Sequence, residues 1–286
     1  MSLISLADRP WSAKLPSHHF SPPAVKSAFR GDGPAPTTRW ERSSWMIDVV
    51  APGDDVSDAW EARAEQWLAW ARTPGQDIYF WQLNWPAFRE LLPPAGRRTL
   101  DIGCGEGRVG RELARAGHRV LGVDSSPTLA ALAREAGGYE EVAAARANAL
   151  PWPAECCDLA IAFMSLQDME NPAAAIAEIA RVLQRSGRLC LAIIHPLNRP
   201  PEGLEDYFSE RRVATRVTHA GLEMTCESID RPFQTYTRAL ASAGFVIEDL
   251  REPQATLVQA TEETSLAEAA RRPYFVHMRC RLDGHR

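Results

Sequence analysis

TLDIGCGEGRVGRELARAGHRVLGVD, residues Thr99 to Asp124, is the stretch that sets the fold. Thr99, Leu100 and Ile102 have the character of a short buried strand. Gly103, Gly105 and Gly107 supply a tight loop, and Arg108 to Ala116 has the pattern of a helix. The chain turns at Gly117 and enters a second strand, Arg119 to Val123, which ends at an acid, Asp124. In an α/β sheet such a glycine loop lets backbone approach a ligand, and an acid at the tip of the next strand accepts from two ribose hydroxyls. The pattern therefore points to a nucleoside. It reads G-x-G-x-G; the last glycine of the dinucleotide pattern would fall at Arg108, which weakens a nicotinamide reading.

Downstream, further strands and helices alternate. Ser126 and Pro127 open a helix, Thr128 to Glu135, that Gly137 and Gly138 end. Val142 to Arg146 is a third short strand, followed by Asn148, Ala149, Leu150 and Pro151. The continuous apolar run Cys157 to Phe163 predicts a fourth, fully buried parallel strand whose exit is Met164-Ser165-Leu166-Gln167-Asp168. Asp168 and Glu170 read as solvent-facing residues leading into a helix, Pro172 to Gln184, with Asn171 as its cap and Gly187 just past its end. A fifth strand, Arg188 to Ile194, runs straight into His195-Pro196. Residues 197–229 form an insertion with two extended segments, Arg211 to Thr218 and Leu222 to Glu227, that read as a hairpin. A helix, Phe233 to Ala243, a sixth strand, Phe245 to Leu250, and a last strand, Tyr274 to Leu282, complete the chain.

Asp101-Ile102-Gly103-Cys104-Gly105-Glu106-Gly107 resembles the first motif of class I S-adenosylmethionine (SAM) methyltransferases, of the small-molecule type with a methyltransferase-11-like domain. The resemblance runs from about Arg97 to Leu250. It implies an α/β, Rossmann-like, seven-stranded and mostly parallel sheet with helices on both faces and an antiparallel last strand. It also implies SAM as cofactor. Asp101, Gly103 and Gly105 would then line the methionine part, Asp124 would hold the ribose, Asn148 with Ala149 would meet the adenine, Met164 would pack near the cofactor, and Cys104 and Ser125 would complete the cofactor site. The family usually carries an Asp where Asn148 stands; a carboxamide can still accept from the adenine amino group, or Asn148 can merely shape a turn. His195, at the carboxyl end of a central strand, is a candidate base or orienter, or a histidine that only holds a loop.

Upstream, residues 1–40 are rich in Pro, Ser and Gly and read as a disordered or loosely packed tail, and residues 41–95 as an N-terminal helical cap before a SAM-binding domain at 96–286. Val56 to Arg72 predicts one amphipathic helix, and Trp85 to Leu92 a short one with Asn84 as cap. Trp60 and Trp67 read as pins between cap and core. Tyr79 and Trp81 either pin the cap as well or close over cofactor and substrate. The resemblance implies that the inserted hairpin covers the substrate pocket, which makes Tyr207, Phe208 and Arg216 candidate substrate contacts.

At 286 residues the chain can hold one large α/β domain with additions. A net charge of -5 without clustered arginines lacks the footprint of a nucleic-acid binder. No apolar run approaches the roughly 18 residues of a membrane span, and no secretory leader is evident, which together predict a cytoplasmic protein. The six cysteines show no zinc spacing, and they read as small buried hydrophobes in a reducing compartment. The reading is thus a methyltransferase of a small molecule. An RNA or protein methyltransferase, or a SAM-fold binding protein without transfer, stays open, and the oligomeric state is undetermined.

Overall fold

The computed structural model describes residues 39–42, 45–53, 55–199 and 206–283. The tail expected over 1–40 lies, except for its last two positions, outside the described residues. Seven strands build the central sheet: β3 (Thr99–Ile102), β4 (Val120–Asp124), β5 (Glu141–Ala144), β6 (Cys157–Phe163), β7 (Leu183–Ile194), β10 (Phe245–Arg251) and β11 (Phe275–Leu282). Their order is β10-β11-β7-β6-β3-β4-β5. The run from β7 to β5 is parallel, while β11 is antiparallel to both β7 and β10. This is the α/β architecture that the sequence implies.

Alternation along the central strands gives the sheet two apolar faces. On one side Leu100, Ile102, Ala160, Leu189 and Leu191 meet Ile176 and Ile179 of helix Pro172–Val182 and Leu240 of helix Phe233–Ser242. On the other, Leu159, Ile161, Phe163 and Cys190 meet Val109 and Leu113 of helix Arg108–Arg115 together with Phe80, Trp85, Phe88 and Leu91. The last four come from the segment before the glycine motif. Phe163 takes the edges of Phe80, Trp85 and Phe88 with ring centroids 5.7, 5.6 and 5.0 Å away, so residues 80–91 complete the core of the sheet. They share that core with the domain expected to begin at 96.

The local punctuation falls where side-chain chemistry demands it. Ser126 accepts from the Leu129 N–H and Asn171 from the Ala174 N–H, each at the start of a helix with Pro in its first turn. Helix Pro172–Val182 stops two residues early, because Leu183 already pairs with Cys157 of β6.

The region expected to be a helical cap is half strand. β1 (Arg39–Arg42) and β2 (Trp45–Val50) join the inserted hairpin, β8 (Arg211–His219) and β9 (Leu222–Asp230), in a second antiparallel sheet of order β1-β2-β8-β9. The expected single helix breaks at Arg63 into α1 (Val56–Ala62) and α2 (Ala64–Arg72); Arg63 leaves helical geometry, and its guanidinium reaches Glu227 of β9 at 2.5 Å. Asn84 is not a cap. It lies at the end of a π-helical turn, Tyr79–Asn84, and its Oδ1 pairs with His277 Nε2 of β11 at 2.7 Å.

Candidate active site

At the carboxyl ends of the parallel strands lies a cavity of about 770 Å³. The loop after β3 forms part of its wall. Gly103 (φ +68°) is packed so closely on Ser165 that a Cβ there would stand 2.5 Å from the serine Cβ, whereas Gly105 (φ +55°) faces the cavity with only Trp67 Nε1 nearby. Asp124 ends β4 with its two oxygens held by different backbone donors, Gly105 N–H at 2.8 Å and Ser126 N–H at 2.9 Å. Each oxygen keeps a further lone pair for a ligand. Burial pushes the Asp124 carboxyl above its ordinary range, opposed by those backbone N–H bonds. Arg146, Ala147 and Asn148 continue this wall after β5, and Met164, with φ +57°, does so after β6.

The opposite wall comes from the accessory segments. Trp60 and Trp67 meet edge-on at 5.7 Å, and Tyr79 stacks on Tyr274 at 5.1 Å while its hydroxyl donates to the Ser265 carbonyl. Thr215, Val217, Met224 and Cys226 face inward from the hairpin. Asp168, Gln167 and Glu170 stand on the turn after β6. One concave site thus holds hydrogen-bonding groups on one side and an aromatic, sulfur-rich surface on the other.

A methyltransferase-domain family model matches residues 100–191, the glycine loop through β7. A solved SAM-dependent methyltransferase from Mesorhizobium loti superposes with a TM-score of 0.55 at 28% identity, covering 69% of this chain and 97% of that one. Residues 100–191 thus carry a methyltransferase domain, in a chain with the fold of the class I SAM-dependent methyltransferases. It is also similar to a ubiquinone biosynthesis O-methyltransferase of Ralstonia nicotianae, 30% identical over 156 residues, 47% of this chain and 64% of that protein. A demethylmenaquinone methyltransferase of Tropheryma whipplei is 32% identical over 155 residues, 52% of this chain and 65% of its own length. The chain therefore spans just under two thirds of these curated relatives.

SAM is the methyl donor of the family, and the wall fits it. The glycine loop leaves room where Gly105 lacks a Cβ, Asp124 presents two spare acceptor positions, and Asn148 offers both an acceptor and donors. Of the sequence-derived cofactor residues, Gly103, Cys104, Gly105, Asp124, Ser125, Asn148 and Met164 stand together on the cavity wall. Asp101 and Ala149 do not.

Asp101 lies beneath the loop, fully buried, and accepts from the Tyr139 hydroxyl at 2.8 Å. Burial pushes its carboxyl up to about 7, against the lowering effect of that bond. Tyr139, which the sequence reading passed over, explains two further glycines: a Cβ at Gly110 would fall 2.0 Å from its ring and one at Gly122 2.8 Å, while Gly107 is set first by its left-handed backbone (φ +90°), with Ala133 Cα 3.0 Å and the Tyr139 ring 3.1 Å from an added Cβ. Gly107 thus serves the turn into helix Arg108–Arg115, and the cavity wall omits it.

His195 also stands off the wall. Ile194 faces the cavity, and the next residue of an extended strand end points elsewhere. Its Nδ1 accepts from the Leu197 N–H at 3.1 Å, so Nε2 carries the proton and meets Glu252 Oε1 at 2.9 Å. Burial lowers the imidazole's affinity for a second proton, and Glu252 opposes the shift.

Among the substrate candidates Tyr79 is on the wall, and Trp81, Tyr207 and Arg216 are not. Trp81 is turned outward and 45% exposed. The Tyr207 hydroxyl accepts from the Phe233 N–H at 2.9 Å, and Phe208 is 74% exposed. Arg216 reaches Glu223 on the outer face of the hairpin, because Thr215 and Val217 take the inner one. Trp60 and Trp67, expected only to pin the cap, line the cavity instead, and so does Asp168, expected in solvent.

Proposed function

We propose that the chain transfers the methyl group of SAM to a small, ring-bearing acceptor held between the aromatic wall and the carboxyl edge of the sheet. What carries this reading is the continuity of one cavity, from Asp124 and Asn148 to Trp60, Trp67, Tyr79 and Tyr274. Its volume falls in the range of about 300–1,000 Å³ usual for small-molecule sites. The names of the quinone-related relatives agree with such an acceptor. Bound SAM supplies a methyl carbon on a positively charged sulfur that is already a good leaving group. The protein's tasks are then to hold, orient and dry the reactants.

Asp124 accepts from the ribose and Asn148 meets the adenine, while the aromatic wall excludes water and sets the plane of the acceptor. His195, with both ring nitrogens engaged, orients the corner between β7 and the insertion. Among the described residues no helix is long and apolar enough to cross a membrane. The cysteines form no disulfide, and the Cys156 and Cys157 thiols hydrogen-bond to each other at 3.4 Å.

The test is transfer of labelled methyl from SAM to a panel of hydroxylated aromatics, alongside calorimetric titration with SAM and S-adenosylhomocysteine. Binding of both and labelling of a ring-bearing small molecule is the expected result. Labelling of RNA or protein alone would replace the acceptor class, and binding with no labelled product would reduce the chain to a SAM-binding module. Absence of binding would overturn the reading.

A further inference from the structure

We propose that the turn Leu166–Asp168 binds the acceptor's nucleophilic group, with Asp168 taking the proton of its O–H and Gln167 Oε1 accepting a hydrogen bond from a second, neighbouring donor of the acceptor. The inference rests on the methyltransferase reading above and adds the chemistry of the acceptor: it presents an O–H donor.

The first observation is an orphan. Gln167 is 5% exposed and lines the cavity. Its Nε2 donates to the Met164 carbonyl at 2.6 Å, which fixes the amide's orientation, because a carbonyl can only accept. Oε1 is left buried with no partner. An unmatched buried acceptor costs about 1–3 kcal/mol, and a donor brought by a ligand would recover it.

The second observation is the neighbouring carboxyl. Asp168 is half-buried, and its side chain lines the cavity. It follows the exit of β6 at the carboxyl edge, where an open α/β sheet places its ligands. The groups that act on it come from every side. Asp124 at the end of β4 and Cys226 of β9 are near neighbours, Tyr236 stands on helix Phe233–Ser242, and Arg231 supplies the positive charge. Burial lifts the Asp168 carboxyl well above its ordinary range, with Gln167 and Arg231 opposing.

The third observation is rigidity. Arg231 is buried and donates to the carbonyls of Gln167, Met169 and Glu170 at 3.4, 2.8 and 3.1 Å. Arg212 of β8 holds the Glu170 carboxylate at 2.6 Å. A turn fixed through its backbone carries its side chains at set positions, as general-base catalysis requires. His195 offers no such free nitrogen.

The step balances with these groups alone. The acceptor's O–H gives its proton to the Asp168 carboxylate, and an oxygen electron pair forms the new bond to the methyl carbon. The electrons of the breaking methyl–sulfur bond stay on sulfur, which leaves a neutral thioether, and the carboxyl then returns its proton to solvent.

The experiment uses the full chain, labelled SAM and two phenols: an unsubstituted one that stays protonated, with a pKa of about 10, and a nitro-substituted one already ionised near neutral pH. Asp168→Asn should slow transfer to the protonated phenol by about 10²–10⁴-fold, the usual contribution of a general base. Transfer to the ionised phenol and the dissociation constant for S-adenosylhomocysteine should hardly change. In the native chain, kcat/KM for the protonated phenol should rise with pH through one ionisation above the ordinary carboxylate range. The ionised phenol, which needs no base, should lack that limb, whereas ionisation of Asp124 would give both phenols the same one; this contrast needs no variant and decides the matter if Asp168→Asn fails to fold. Equal losses for the two phenols, no loss, or a flat pH profile would overturn the proposal. Failure of the native chain to methylate either phenol while binding S-adenosylhomocysteine would overturn it too. Failure to bind that product would instead refute the methyltransferase reading beneath it.

Discussion

Tyr139→Phe isolates the two polar contacts under the glycine loop, because the ring that fills the space around Gly107, Gly110 and Gly122 stays in place. In the native chain the hydroxyl donates to Asp101 at 2.8 Å and accepts from the Gly110 N–H at 3.2 Å. Helix Arg108–Arg115 begins after Gly107, which has no side chain to cap it, so the phenolic oxygen does the work of an N-cap for the third residue of the helix. Loss of a cap costs about 0.5–2 kcal/mol, and loss of a hydrogen bond to a charged group about 1.5–3 kcal/mol. With imperfect additivity the variant should lose about 2–4 kcal/mol. For a domain of this size that is a drop of about 5–15 °C in Tm.

The pH dependence follows from Asp101, whose carboxyl is pushed up to about 7 by burial. A raised carboxyl keeps its proton in the native state after the unfolded chain has lost it. Its contribution is therefore fully present below the ordinary carboxylate range and disappears as pH rises through 7. The ionised form needs the Tyr139 donor most, so the variant's penalty should be larger on the alkaline side of 7 than in mild acid. Urea unfolding followed by tryptophan fluorescence on both sides of neutrality measures it. A loss under about 0.5 kcal/mol, within the range of an ordinary surface substitution, or a penalty greater in acid than in base, would refute the reasoning.

Asp124→Ala should weaken SAM binding by about 1.5–3 kcal/mol, roughly 10- to 150-fold in Kd; an unchanged value by calorimetry would remove Asp124 from the cofactor site. His277 is fully buried against Asn84 and Phe88, and burial lowers its pKa to about 3. The unfolded chain takes up a proton there below about 6.5 and the native chain does not, so stability should fall by about 1.4 kcal/mol per pH unit between those values. His277→Gln should flatten that slope in acid unfolding curves, and an identical slope would show that other groups set it.

The part of the fold carried by short-range signals was readable. β3, its loop, helix Arg108–Arg115 and β4 are consecutive, and Ser126 and Asn171 cap their own helices, so each reading needed only a few adjacent residues. What was missed is long-range. Trp45–Val50 is a strand because β8 lies beside it from the other half of the chain, and the helical texture of the following residues hid this. Gly110 and Gly122 share no period, and their common cause, Tyr139, is visible only once β4, helix Arg108–Arg115 and the loop before β5 come together. Asp168 looked exposed because it sits in a short polar turn. The buried Arg231, some sixty residues on, closes that turn against the cavity.

The accessory segments are anchored on the wall that carries Asp124 and the glycine loop, which under the proposed function ties acceptor choice to cofactor binding. Glu61 of α1 accepts from the Ser126 hydroxyl and, at 2.6 Å, from the Thr128 hydroxyl, at the head of the helix that follows Asp124. Arg72 of α2 meets Glu106 of the glycine loop at 3.0 Å, and Arg111 grips the same buried carboxylate at 2.9 Å. Asp77 holds Arg108, the first residue of the next helix, at 2.6 Å, with the guanidinium 3.7 Å from the Phe80 ring centroid. The N-terminal segment that carries Trp60, Trp67 and Tyr79 is thus bonded to the three places that shape the nucleoside wall, and Glu227 on the hairpin grips it through Arg63. Whatever cofactor binding does to order those loops must act equally on the aromatic wall, because a coupling free energy between two sites is reciprocal. Acceptor occupancy should accordingly tighten the cofactor by the same factor by which cofactor tightens the acceptor. Exposed ion pairs alone are worth too little to enforce this. Here the buried partners, Glu106 and Glu227, are the ones that would be stranded if the segment lifted away.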